Sequence, residues 1–138
     1  MDVAAAYRHC WRLTRRRARN FAYGIGLLDR ERRLALSAVY ALARAGDAAG
    51  DEPGPAEEKL RRLGELRRDL GELERAVRGE TPPPSEPVRL AVWDLARRAP
   101  LPLGAFADLI DGVEMDVRGT RYGTLAELEL YCRRVAGS

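Results

Sequence analysis

Apolar residues recur at three- and four-residue intervals along nearly the whole chain, and no segment alternates long enough to specify a strand. The pattern predicts an all-α protein of about six helices. A first helix is expected from about Val3 to Arg19, followed by a glycine-containing turn over Tyr23 to Gly26. Asp29 is placed to cap a second helix running to roughly Asp51, which Pro53, Gly54 and Pro55 then end. A third helix, from Ala56 to about Arg78, carries Leu60, Leu63, Leu66, Leu70, Leu73 and Val77 on one stripe, with mixed charge elsewhere. Thr81 to Pro84 reads as a linker. Helix four is expected from about Glu86 to Arg98, stopped before Pro100, and helix five from Pro102, favourable as a first helical residue, to about Val117. After a short loop, Arg118 to Gly123, Thr124 and Glu127 have the form of a capping box. The last helix should begin there and carry Tyr131 and Val135 on one face. No internal repeat is present.

At 138 residues and 46% apolar, the chain is sized for one domain with a modest core. Acids nearly balance bases, leaving a formal charge of +3, so no field that would imply nucleic acid as a partner is present. Cys10 and Cys132 are enough for one bridge, yet the chain shows no signal peptide, and two isolated cysteines fit the reduced thiols of a cytoplasmic protein. No apolar run is long enough to span a bilayer. With His9 as the only histidine, neither a histidine metal cluster nor a Ser-His-Asp triad can be built.

The chemistry lies in Tyr40, Arg44, Asp47 and Asp51, spaced i, i+4, i+7 and i+11, which a helix would align on one face. A carboxylate pair one turn apart can hold Mg²⁺ through oxygen ligands and leave its remaining positions to water and phosphate oxygens. Such a pair on a charged helix is, taken alone, usually a solvated face. Here it ends an otherwise apolar run, Leu34 to Leu42, where an inward carboxylate without a cation would be costly. Arg44 can be a plain intrahelical ion pair and Tyr40 a packed aromatic. The arginines at 12, 15, 16, 17 and 19, near Trp11, read best as a solvated face. The other reading is a non-catalytic helical module that meets a partner helix or an anionic surface through this first helix.

The run from Asn20 to Glu52 (NFAYGIGLLDRERRLALSAVYALARAGDAAGDE) resembles the first aspartate-rich region of the squalene and phytoene synthase family. The run from Leu109 to Ser138 (LIDGVEMDVRGTRYGTLAELELYCRRVAGS) resembles that family's segment leading into its Tyr-Cys-x-x-Val-Ala-Gly signature. The resemblance implies the helical bundle of isoprenoid synthases. It also implies head-to-head condensation of two prenyl diphosphates, farnesyl or geranylgeranyl, to presqualene and squalene or to phytoene. Asp47 and Asp51 would then be ligands to Mg²⁺ (or Mn²⁺), and Arg44 would grip diphosphate through the fixed fork of its guanidinium. Tyr40, Asp116 and Tyr131 fall at positions the family uses in catalysis. Asn20, Phe21 and Tyr23 fall near its diphosphate and channel entrance, and Val135, Ala136 and Gly137 among its channel-lining residues. The wording of both segments looks closest to bacterial presqualene diphosphate and squalene synthases of hopanoid pathways, with phytoene synthase and its carotenoid product close behind. NADPH would serve only a full squalene synthase. A lipid-soluble product makes peripheral membrane contact reasonable.

Two departures stand out. Ala48 replaces a third carboxylate usual in the family, and Gly46 replaces a branched residue; Gly46 and Gly50 each weaken the helix by about 1 kcal/mol relative to Ala. The family also needs a second aspartate-rich helix on a facing wall, and none occurs by Ser138. The expectation is therefore an amino-terminal half of such a synthase that is inactive alone.

Overall fold

The computed structural model describes residues 2–118, in which six helices follow one another: α1 (Val3–Arg17), α2 (Arg19–Ile25), α3 (Arg30–Asp51), α4 (Ala56–Val77), α5 (Pro87–Arg98) and α6 (Gly104–Val117). No strand occurs among these residues. Local chemistry starts and stops most of them. Asp2 accepts a hydrogen bond from the Ala5 amide at 2.7 Å and Asp29 from the Arg32 amide at 2.9 Å, so both act as N-caps. The Glu86 carboxylate does the same for α5, accepting from the amides of Val88 and Arg89. Helix α4 ends at Gly79, whose φ of +82° is open to glycine at little cost. There the Gly79 amide donates to Ala76 and the Glu80 amide to Arg75, the paired bonds of a Schellman cap.

The leucine stripe of α4 packs as its spacing requires. Leu63, Leu70 and Leu73 are buried, and Leu60, Leu66 and Val77 close over them at the margin. Helix α3 is the centre of the bundle and touches every other described helix. Leu36 and Val39 are buried in its first half, and from Ala41 onward its buried positions are small: Ala41, Ala43, Gly46 and Ala49. Small side chains let neighbouring helices approach closely, and α6 takes advantage at two points. A Cβ on Gly46 would lie 3.4 Å from Leu109, and one on Gly50 only 2.4 Å from Val113. The contacts advance in step, 46 with 109 and 50 with 113 and 117, so α3 and α6 run parallel. The two glycines therefore do more than weaken their helix, because they are where α6 seats.

Helix α1 is tied to α5 by Tyr7. Its hydroxyl donates to Asp94 at 2.9 Å and accepts from Arg98 at 3.1 Å. Burial pushes the Tyr7 hydroxyl pKa up to about 12, with Arg98 opposing and Asp94 adding, so it stays a neutral donor. Cys10 is fully buried and free, and its thiol too is pushed up to about 12, by burial first and the field of Glu86 second. Such a thiol packs as a small apolar group.

Between α4 and α6, the Arg67 guanidinium donates to both Asp111 and Glu114 at 2.7 Å. Because this fork is partly exposed, Arg67→Ala is expected to cost only about 1 kcal/mol. Urea unfolding should show that loss with helicity unchanged; a loss of several kcal/mol would mean that the clasp, and not apolar packing, joins these helices.

The first two helices differ from the sequence expectation. Helix α1 stops at Arg17, two residues short of the expected end, Ala18 leaves the helical region at φ −141° and ψ 70°, and residues 19–25 form α2, which takes in most of the turn expected over Tyr23 to Gly26. Ala22 and Ile25 are buried three positions apart, and sinking that pair into the bundle outweighs the cost of about 1 kcal/mol that Gly24 imposes on a helix. The six described helices thus include α2, whereas the sixth helix expected from Thr124, with Tyr131, Cys132 and Val135, lies outside the described residues. Pro102 does not begin α6. Its carbonyl accepts from Ala105 in a turn that leads into the helix at Gly104. No helix among the described residues is long and apolar enough to cross a membrane.

Candidate functional site

The last three turns of α3 run beside a cleft of about 630 Å³. Its walls are mostly apolar: Ala41, Leu42, Ala45 and Ala48 from α3, Leu66, Leu70 and Leu73 from α4, and Phe106, Leu109 and Ile110 from α6. Leu13 and Arg17 from the end of α1, Asp69 from α4, and Glu52, Glu86, Val88 and Arg89 also line it. Arg44 and Asp51 both face this cleft, seven residues apart on one side of the helix. A slot with a greasy body and charge along one edge suits an amphiphile with an anionic head.

The two edges differ in how their charges are spent. Arg89 bridges Asp69 at 3.0 Å and lies 3.4 Å from Glu86, so its guanidinium is already neutralised by protein. Among the described residues, none of Arg17, Arg44, Asp47 and Asp51 is engaged in an ion pair. Unsatisfied guanidiniums beside unsatisfied carboxylates fit a site that binds an anion and a cation together.

Asp47 is half-buried, and its carboxyl ionises above the ordinary range; burial is the first cause and the negative charge of Asp51 the second, with Arg44 opposing. A divalent cation between the two carboxylates would relieve both causes. Two carboxylates one turn apart are oxygen ligands of the kind Mg²⁺ takes while keeping several waters; among the described residues no group of three or more His, Cys, Asp or Glu could hold a metal by itself. Tyr40 lies in the same field. Its hydroxyl pKa is raised by burial first, lowered by Arg44, raised by Asp47 and lowered by Arg17.

The two carboxylates differ in setting: Asp47 is half-buried but is not among the residues lining the cleft, and Asp51 lines it. Asp51 is exposed at the last residue of α3, next to the exposed Glu52 and Pro53 that follow the helix. Asp116 is exposed in the last turn of α6, which the contacts of Val113 and Val117 with Gly50 bring to the same end of the bundle as Asp51. Asn20 is exposed in the first turn of α2. Tyr23 is 78% exposed and is not among the residues lining the cleft. The side chain of Phe21, and Tyr131, Val135, Ala136 and Gly137, lie outside the described part of the structure.

Arg17 is the site residue that sequence reasoning passes over. It sits in a run of three arginines that reads as solvated, and only the packing of α1 against α3 brings this one to the cleft and to Tyr40.

Residues 14–138 match the model of the family described as squalene/phytoene synthase. The phytoene synthase of Mycobacterium tuberculosis is 43% identical over 137 residues, which are 99% of this chain and 43% of that protein. The 15-cis-phytoene synthase of Synechococcus elongatus is 35% identical over 137 residues, 99% of this chain and 42% of that protein. Phytoene synthase 3 of Zea mays, a chloroplastic protein, is 34% identical over 136 residues, 99% of this chain and 30% of that protein. The chain therefore spans less than half the length of these relatives. Nearly the whole of the chain takes part in every one of these matches, and on that ground it belongs to the squalene/phytoene synthase family.

Proposed function

We infer that these residues form one wall of a prenyltransferase site that joins two prenyl diphosphates head to head, of the kind that makes phytoene. The observation that carries this reading is the cleft itself: an apolar slot with Arg44 and Asp51 on one edge and Asp47 one turn away. The names of the relatives favour two geranylgeranyl diphosphates as substrates over the farnesyl pair of presqualene and squalene formation, which also leaves NADPH without a part.

The protein's share of the chemistry is binding, charge and exclusion of water. Asp47 and Asp51 would hold the cation, Mg²⁺ or Mn²⁺, which when bound supplies neutralisation of the diphosphate. Arg44 meets the diphosphate oxygens with a planar fork that stays charged at any working pH, so it stabilises pyrophosphate as the carbon–oxygen bond breaks. The allylic cation left behind is attacked by the double bond of the second prenyl chain, and loss of a proton closes a cyclopropane. Leu70, Leu73, Phe106 and Ile110 keep water from capturing that cation. Asp47 and Asp51 act here as ligands and not as bases.

The test is calorimetric titration of the 138-residue chain with a non-hydrolysable geranylgeranyl diphosphate analogue, in Mg²⁺ and in EDTA. Binding should require Mg²⁺ and weaken as the prenyl chain is shortened, because each buried methylene contributes about 0.8 kcal/mol. Binding indifferent to the metal would overturn the site; binding indifferent to chain length would remove the cleft from it. The polypeptide holds one Asp-x-x-x-Asp pair, so assays of it should read binding and not turnover. In a complete enzyme, Asp47→Asn should abolish Mg²⁺-dependent turnover.

A further inference from the structure

Residues 3–28 hold six arginines and no carboxylate. That stretch carries +6, while the rest of the chain, with 18 basic and 21 acidic side chains, carries −3. The excess charge is therefore confined to α1 and α2. On α1, Arg8, Arg12, Arg15 and Arg16 are exposed, and their i, i+4, i+7 and i+8 spacing gathers them on one flank. Tyr23 near the end of α2 and Leu27 in the turn that follows it are the two most exposed large apolar side chains among the described residues, each 78% exposed. Both border a shallow depression together with Trp11, Arg15 and Gly26. The Trp11 ring is flanked by guanidiniums, Arg33 at 5.3 Å and Arg15 at 5.9 Å from its centroid.

A merely solvated basic helix accounts for the arginines but not for a tyrosine and a leucine standing in water at its edge. We propose that this face, Arg12, Arg15 and Arg16 with Trp11, Tyr23 and Leu27, docks on an anionic lipid surface. Tyr23 and Leu27 enter the headgroup boundary, where amphipathic rings and short aliphatic chains partition, and the arginines lie flat with their charges on lipid phosphates. Charge decides between occupants. A second copy of the chain would set +6 against +6, and two protruding side chains beside a shallow depression offer far less than the roughly 1,000 Å² that a specific protein interface needs. The lipid contact stands apart from the chemistry of the cleft.

Co-sedimentation of the 138-residue chain with vesicles tests this, comparing phosphatidylcholine alone with phosphatidylcholine containing phosphatidylglycerol. Binding is expected only to the anionic vesicles and should fall as salt is raised. The double substitution Arg12→Gln with Arg16→Gln should weaken it roughly tenfold or more. Leu27→Ser should weaken it too while leaving the salt dependence in place, and Asp47→Asn should leave it unchanged. Circular dichroism confirms that the variants fold, as their exposure predicts. The proposal is overturned if the chain ignores anionic vesicles or binds neutral ones equally well. It is also overturned if either set of variants binds like the parent, or if Leu27→Ser disperses an oligomer of the vesicle-free chain, which would show that a second copy covers the patch.

Discussion

In Mg²⁺ and inorganic pyrophosphate, the parent chain is expected to melt higher than in EDTA, and Asp47→Asn and Asp51→Asn are each expected to lose that gain. A ligand that binds only the folded state at a hundred times its Kd adds about 2.7 kcal/mol, which for a domain of this size raises Tm by roughly 8–10 °C. The loss should be nearly complete in either variant, because one carboxylate alone is a poor site for a cation that dehydrates reluctantly. Without metal the order reverses. Burial and Asp51 both disfavour the Asp47 anion, so its ionised form is a penalty to the folded chain. A carboxyl whose folded pKa is raised carries that penalty above the folded value and sheds it as pH falls through that value toward the ordinary one. In EDTA at neutral pH, Asp47→Asn should therefore be more stable than the parent by a few tenths of a kcal/mol, and the gap should close on acidification. Differential scanning fluorimetry across pH, with and without the ligands, reads both effects. Variants that keep the ligand-induced shift would remove these carboxylates from the metal site.

Gly50→Ala should destabilise the chain, against the usual direction for a helical glycine. Alanine would gain about 1 kcal/mol of helix propensity. Its Cβ, however, would stand 2.4 Å from the Val113 Cγ1, and a valine on a helix has little rotamer freedom with which to retreat. Overpacking of this kind costs about 1–3 kcal/mol, and a contact as close as this one falls toward the upper end of that range, leaving a net loss of up to about 2 kcal/mol. Truncating the obstacle makes the interpretation sharp. In a Val113→Ala background the same Gly50→Ala change should become neutral or stabilising, a coupling of about 1–3 kcal/mol in a urea double-mutant cycle. Additive effects would mean that α6 does not seat on Gly50.

What could be read from the sequence was what near neighbours along the chain decide. Asp29 announces α3 because its cap reaches only to the Arg32 amide, and the α4 stripe is a spacing that one helix alone displays. The same holds for the quartet from Tyr40 to Asp51, whose alignment follows from helical geometry once α3 is granted. Contacts between distant segments were hidden. Helix α2 forms against propensity because Ala22 and Ile25 find places in the bundle, Arg17 joins the site because α1 packs on α3, and the roles of Gly46 and Gly50 depend on residues more than sixty positions later. Exposure of Asp51 was likewise beyond the sequence, since periodicity assigns a face but not how much of that face neighbouring helices cover.

The parallel pairing of α3 with α6 bears on how the chain acquires this site. During synthesis α3 leaves the ribosome with Gly46 and Gly50 bare, and their cover, Leu109 and Val113, is translated some sixty residues afterwards. At ordinary elongation rates that interval lasts roughly 3–12 s, very long beside the microseconds in which helices form. The carboxylate-bearing helix therefore waits as a formed but uncovered element, and a slow codon stretch between α4 and α6 would lengthen the period in which chaperones or neighbouring nascent chains can occupy its groove.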